Sequence, residues 1–424
     1  MTVTEFESFK NVLFTNLKKE NSKALEIIDE NEKLIKFYLN GDDQALIKKF
    51  VTDFNNVILD KNVKYDNYKL FESVLNHRLF TKVLNQFRES DILIRACADV
   101  KMFYIYVHNP NSYNEHFNKK LIKWLLTMNI NYGVQDELGR TALMYAVKYK
   151  DEYFAVEKMM HGKHINLLDK NGNSVLFHAC EAYFTLEEFL KYRDLFDVNH
   201  LNNKNENLFL YAARNKKINC YEYLDALKKY NNYDINIIND EGMTATMYVI
   251  SHGQYKILQY LLKNYQIDVN HVNKFGNSLL SVLIKSYYEY YCKTIEREEG
   301  FGVEIMDFKR YALCFKVLNE YGCDFKKTID EENNTVIDVL SKINDKVISK
   351  YLLKNGNIDF IVESNKQSQK YPQIDGSKPI IKKNSKILDK ALEEVLQTSS
   401  SIGNKINLGI GKVINYAFYP GSNN

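Results

Sequence analysis

Asp136-Glu137-Leu138-Gly139-Arg140-Thr141-Ala142-Leu143-Met144-Tyr145-Ala146 is followed, 33 residues on, by Asp169-Lys170-Asn171-Gly172-Asn173-Ser174-Val175-Leu176-Phe177-His178-Ala179. The two stretches are one pattern written twice. The Asp offers a short side chain that hydrogen-bonds its own turn, the glycine accepts positive φ without steric penalty, and the hydroxyl residue supplies the oxygen that caps a helix N-terminus. A turn that opens a helix, recurring at a fixed offset, predicts an array of like units rather than a single globule.

The register extends in both directions. The glycine position reads Gly139, Gly172, Asn205, Gly242, Gly276 and Asn333, with spacings of 33, 33, 37, 34 and 57 residues. Where glycine is missing, asparagine stands in, the residue type that best tolerates left-handed backbone. Three residues earlier stand Asp136, Asp169, Asn202, Asn239, Asn273 and Asp330, and two residues later Thr141, Ser174, Asn207, Thr244, Ser278 and Thr335. An asparagine closes the preceding unit at Asn131, Asn166, Asn199, Asn236 and Asn270.

This D-x-x-G-x-[TS]-x-L pattern with its period of 33 resembles the ankyrin repeat, in which T-P-L-H-x-A opens the first of two helices. The resemblance implies an all-α fold, an ankyrin-type helical solenoid with an N-terminal helical cap. It places seven units over about residues 91–360, the first from Asp91 with Ile92–Cys97 and Leu121–Leu126 as its helices. Two departures stand out. The family's proline is replaced by Ala142, Val175, Leu208, Ala245, Leu279 and Val336, and its histidine by Met144, Phe177, Leu210, Met247, Ser281 and Asp338. Losing proline costs on the order of 0.4–1 kcal/mol per site through unfolded-chain entropy, and losing histidine removes a hydrogen-bond link, so softer repeats are expected.

Outside the register, residues 1–90 show helical spacing such as Phe6, Phe9, Leu13 and Leu17, and read as a cap or as decayed repeats. The repeat region, 91–361, carries an insertion at about 287–310, which reads as an extended first helix and an acidic loop or as a binding face. A linker is expected over 362–383, then a short helix and a Gly/apolar tail over 384–424. In the tail, Ile406 to Tyr419 gather apolar residues around the single charge of Lys412. Fourteen residues of helix reach about 21 Å, short of a bilayer. That stretch is expected to fold back on the stack, with interfacial membrane insertion or disorder as the other readings.

Composition excludes several classes. With 57 basic and 54 acidic residues the net charge is +3, too balanced to draw a nucleic acid by bulk attraction. No run approaches the ~18 apolar residues of a membrane span, and Glu5, Glu7 and Lys10 interrupt the start of the chain where a signal peptide keeps an apolar core. The six cysteines form no C-x-x-C pair and read as reduced core thiols. No nucleophile elbow, phosphate loop or zinc motif is present; His161 and His164 lack further ligands in sequence, and His178 and His252 have no carboxylate placed by sequence to tune them. No catalytic, metal or cofactor site is expected.

The expected function is a protein–protein interaction module, an adaptor or scaffold, cytoplasmic or nuclear, monomeric and not an enzyme. The alternative is a tether to a membrane or organelle through the apolar tail. By the resemblance, contacts come from turn tips and first-helix ends: Glu137, Leu138, Arg140, Lys148 and Tyr149; Lys170, Asn171, Asn173 and Glu181; Lys204, Glu206 and Arg214; Asp240, Glu241, Met243 and His252; Lys274, Phe275, Asn277 and Lys285. Leu138, Met243 and Phe275 are apolar where water favours polar residues, which marks them as anchors. Tyr145, Tyr211 and Tyr248 share one repeat position and are expected to pack inward.

Overall fold

The computed structural model describes residues 2–60, 68–99, 114–148, 153–180, 195–215, 224, 227, 233–273, 275–296, 304–329, 333–336 and 338. The chain divides into two compact units. One comprises Met1–Ala212 with Lys217–Tyr233, the other Ala213–Lys216 with Asp234–Asn424. Among the described residues the regular elements are helices, with two isolated β-bridges, Ile238 to Thr244 and Val272 to Ser278.

The first unit begins with α1 (Val3–Lys18), α2 (Lys23–Glu30), α3 (Glu32–Tyr38), α4 (Gln44–Ile58), α5 (Lys69–Leu75) and α6 (Thr81–Arg88). Helix α1 starts on a capping box in which Thr2 and Glu5 bond each other's backbone N–H. What holds these helices is a run of aromatic rings. Phe14 meets Phe50 at 5.4 Å between centroids, Phe50 meets Phe54 at 6.4 Å, and Phe54 meets Phe87 at 6.3 Å. The run ends on Trp124 of the first repeat, 6.2 Å from Phe87 and stacked on Tyr68 at 4.8 Å. Backbone bonds reinforce that seam, since Asn131 N–H donates to Arg88 O at 2.8 Å and the Arg88 guanidinium donates to Met128 O at 3.1 Å. The N-terminal helices therefore cover the apolar face of the first repeat, as a stack requires of its ends.

The repeats follow as α7 (Ile92–Asp99) with α8 (Asn114–Leu125), α9 (Ala142–Ala146) with α10 (Tyr153–Met159), then α11 (Val175–Cys180) and α12 (Leu208–Arg214). Each presents a continuous apolar face. Leu143, Met144, Ala146 and Val147 are buried in and just after α9, as are Leu176, Phe177, Ala179 and Cys180 in α11. Met144, Phe177 and Leu210, which replace the family's histidine, belong to this core.

In the second unit α13 (Ala245–Ser251) pairs with α14 (Tyr255–Asn264), and α15 (Leu279–Glu296) with α16 (Glu304–Glu320). Gly253, at φ 65°, makes the turn between α13 and α14, and an added Cβ there would sit 3.3 Å from Arg310 Cβ. Helix α16 starts at Glu304, inside the stretch expected as an insertion at about 287–310. Much of the insertion thus lengthens both helices, with Tyr287 buried against Tyr311 and Phe315. Asn270 accepts from Asp324 N–H at 2.8 Å, tying the ends of consecutive repeats. Cys97, Cys180, Cys314 and Cys323 are buried; burial pushes the Cys314 thiol up and the Cys323 thiol up to about 12. The linker, short helix and tail expected over 362–424 lie outside the described residues.

Candidate functional site: the repeat turns

The exposed ends of the repeats are turns of one construction. The backbone is left-handed at Gly139 (φ 74°), Gly172 (72°), Asn205 (58°), Gly242 (72°), Gly276 (77°) and Asn333 (59°), which are the six positions singled out by the register. Each of the first five donates its N–H at 2.9 Å to the carbonyl of the Asp or Asn three residues earlier. That residue's Oδ1 in turn accepts from the turn's own amides: Asp136 from Leu138 and Arg140, Asp169 from Asn171 and Asn173, Asn202 from Lys204 and Glu206, Asn273 from Phe275 and Asn277, all at 2.8–3.0 Å. Asn239 accepts from Met243 at 2.9 Å. The short polar side chain thus substitutes for solvent on amides that a tight turn leaves unpaired.

Helix starts follow from the same residues. Thr141, Asn207 and Thr244 accept from the amides of Met144, Leu210 and Met247. Ser278 and Ser281 cap each other, with Ser278 N–H donating to Ser281 Oγ at 2.7 Å, and Thr335 and Asp338 do the same. In these two repeats the residue replacing histidine restores a polar link. Ser174 departs from expectation: its buried hydroxyl makes no hydrogen bond, and Phe177 N–H closes the first turn on Ser174 O.

A further element was missed from sequence. Nine residues after each of the first four turn Asp or Asn residues stands Tyr145, His178, Tyr211 or Tyr248, and Tyr145, His178 and Tyr248 reach back to the turn. Tyr145 OH donates to Asp136 Oδ2 at 2.7 Å, His178 Nε2 lies 3.0 Å from Asp169 Oδ2, and Asn239 Nδ2 donates to Tyr248 OH at 3.2 Å. These tyrosines pack, as their pattern suggests, yet their polar tips also latch the turn to its helix. The expectation that His178 has no carboxylate beside it is corrected: Asp169 lies against it in a buried contact. Burial works to raise the Asp169 pKa, but the His178 imidazole and the Asn173 amide groups outweigh it and hold the carboxyl at about 2. Burial, then the bond to Asp136, raises the Tyr145 phenol.

Successive turns in the first unit are also joined. Lys170 N–H donates to Leu138 O and Asn203 N–H to Asn171 O, both at 2.9 Å. A buried polar chain runs alongside, from Asp169 to Asn173 at 3.3 Å, Asn173 to Asn202 at 3.1 Å and Asn202 to Glu206 at 3.0 Å.

The expected contact residues separate by register. Glu137, Leu138, Lys170, Asn171, Lys204, Asp240, Glu241 and Phe275 stand exposed at tips, Leu138 at 51% and Phe275 at 57%. The residue after the glycine does not: Asn173 and Glu206 are buried, Glu206 at 0%, while Arg140, Met243 and Asn277 are half-buried. The cause is shared. Both backbone groups of that residue pair with the turn Asp or Asn, its N–H with Oδ1 and its C=O with the N–H, which turns the side chain inward. Met243 is accordingly not a protruding anchor. Lys148, Arg214 and His252 are half-buried and Lys285 is exposed; Tyr149, Glu181 and Lys274 lie outside the described residues. Among the described residues no three His, Cys, Asp or Glu side chains gather as a metal ion needs, and no helix is long and apolar enough to cross a membrane.

Residues 112–192 and 186–273 match the family model for ankyrin repeats in 3 copies. Among solved structures the chain is similar to the ankyrin repeat domain of Bcl-3, of the IkappaB protein family, at 16% identity over 58% of this chain and 91% of that one, with a TM-score of 0.39. An ankyrin repeat domain from Acinetobacter baumannii AYE matches at 19% identity over 50% and 97%, with a TM-score of 0.38. A chain from the complex of the Bd0816 predatory endopeptidase of Bdellovibrio bacteriovorus with immunity protein Bd3460 matches at 24% over 50% and 99%, with a TM-score of 0.36. No curated protein matches the chain.

Proposed function

We propose that this chain, whose residues 112–273 are ankyrin repeats, is a protein-binding module, an adaptor or scaffold, that holds its partner at the turn tips. The observation that carries the reading is the pairing of locked backbone with exposed apolar tips: Leu138 and Phe275 stand in water on turns whose amides are already bonded. Such tips lose little conformational entropy on binding, so their buried area converts to affinity more fully than that of a floppy loop. The contact set on this reading is Glu137, Leu138, Lys170, Asn171 and Lys204 in the first unit, and Asp240, Glu241 and Phe275 in the second, without the inward-turned Arg140, Asn173, Glu206, Met243 and Asn277.

Capture of partners from a lysate by the full chain, identified by mass spectrometry and repeated with Leu138→Ala/Phe275→Ala, tests it. The double variant is expected to retain its helical circular dichroism and to lose a captured protein by tenfold or more, roughly the loss of two anchors worth about 1 kcal/mol each. Undiminished capture by the double variant would move the contact surface away from the tips.

A further inference from the structure

Three asparagines of the chain stand directly before glycine: Asn40, Asn171 and Asn355, the last outside the described residues. An Asn–Gly step is the one most open to spontaneous deamidation, because glycine lacks the Cβ that would keep its own nitrogen away from the asparagine side chain. The glycine nitrogen gives up its proton and attacks the asparagine Cγ, the bond from Cγ to the side-chain nitrogen breaks, and ammonia leaves. Water then opens the five-membered imide to aspartate or to isoaspartate, in which the main chain runs through Cβ and Cγ. The reaction needs only water, but the peptide group between the two residues must be free to rotate.

That peptide group is held differently at the two described steps. At Asn171–Gly172 both its ends are bonded: Gly172 N–H donates to Asp169 O and Asn171 O accepts from Asn203 N–H, each at 2.9 Å. Asn171 N–H donates in turn to Asp169 Oδ1 at 2.8 Å, and Gly172 sits at φ 72°. At Asn40–Gly41, just past α3, neither the Asn40 carbonyl nor the Gly41 N–H has a hydrogen bond among the described residues. What restrains this step is the Asn40 side chain, whose Nδ2 donates to Leu79 O at 3.1 Å, and the Gly41 carbonyl, which accepts from Lys82 Nζ at 2.7 Å. Exposure alone points the other way, since Asn171 is exposed and Asn40 half-buried. A slow reaction that passes through an open form runs in proportion to the population of that form, and one side-chain bond opens more readily than a turn locked along its backbone. We infer that Asn40 is a site of isoaspartate formation in the folded chain, and that the repeat turn suppresses the same chemistry at Asn171. Conversion at Asn40 removes the donor to Leu79 O that ties the end of α3 to the Arg78–Phe80 turn, and adds a carboxylate close in sequence to Asp42 and Asp43.

The inference goes beyond the binding reading and does not rest on it. Its test is to age the full chain at neutral pH and body temperature and to locate isoaspartate by peptide mapping with isoaspartyl methyltransferase labelling. Conversion at Asn40 is expected to run about tenfold or more faster than at Asn171 in the folded chain. The gap is expected to close in urea, where no turn forms. Hydrogen exchange of the natural chain supplies an independent arm, in which the Gly41 N–H is expected to exchange about tenfold or more faster than the Gly172 N–H. Conversion at Asn171 that equals or leads that at Asn40, no conversion at Asn40, a gap that persists in urea, or equal exchange at the two glycines would each overturn the inference.

Discussion

The N-terminal helices and the repeats that follow them in the same unit are held by different physics. In α1 to α6 the contacts that matter join residues far apart in sequence, Phe14 to Phe50 and Phe54 to Phe87, and are made by large rings. In the repeat turns many of them join residues within ten positions of each other and are made by short polar side chains, Asp136 to Tyr145 or Asp169 to His178. Ring packing is non-directional and tolerates many arrangements, whereas a turn closed by one carboxylate admits few. One region can drift in sequence while keeping its core; the other repeats itself because each copy must solve the same local geometry.

The strongest way to break the comparison is to remove a ring. Phe54 is fully buried between Phe50, Phe71 and Phe87, so Phe54→Ala is expected to cost about 3–5 kcal/mol, read as a lowered urea midpoint. A loss under about 1 kcal/mol would mean that the ring run is not what holds the cap.

Next comes a paired test of the turns. Gly172 and Gly276 have nearly the same φ, but a Cβ at Gly172 would lie 2.8 Å from Asn203 N, while one at Gly276 meets nothing within 4 Å. Gly276→Ala should cost about 1 kcal/mol from backbone strain alone, and Gly172→Ala roughly 2–3 kcal/mol because it also pries the adjacent turn away. Equal costs by thermal unfolding would show that the junction between turns contributes nothing.

The third test is acid. The folded-state pKa of Asp169 is depressed to about 2 from 3.8, so its contribution is present above the unfolded value and is lost as pH falls from near 4 toward 2. A contribution of roughly 2 kcal/mol is expected, visible as a difference in the pH dependence of the urea midpoint between the natural chain and Asp169→Asn. Parallel curves in that window would rule out the His178 contact as the cause.

What could be read in sequence follows the same divide. The left-handed residues of the six repeat turns were legible, because glycine or asparagine recurring at a fixed offset, just ahead of a helix cap, marks a backbone that needs positive φ. The latch was not, although its signal was present: Asp136 and Tyr145, Asp169 and His178, Asn239 and Tyr248 all stand nine apart. Aromatic residues on a helix suggest packing first, and nothing in the spacing shows that their polar tips face the turn. Glu206 shows the other blind spot, since a charged residue beside a turn reads as exposed until its backbone pairing is known to turn it inward. The rings of the cap show helical spacing within each helix, as Phe50 and Phe54 do, but no repeat register that pairs one helix with the next.

Exposed loops are ordinarily where a chain is cut, because a protease must draw several residues into an extended strand before it can act. The tips of the first unit are exposed without offering that freedom. Unbending the turn at Gly139 or Gly172 means giving up its left-handed residue, its Asp bonds, its latch and its tie to the neighbouring turn together. These tips therefore combine the accessibility of a loop with the resistance to cleavage of a buried strand, and can remain intact on a long-lived surface.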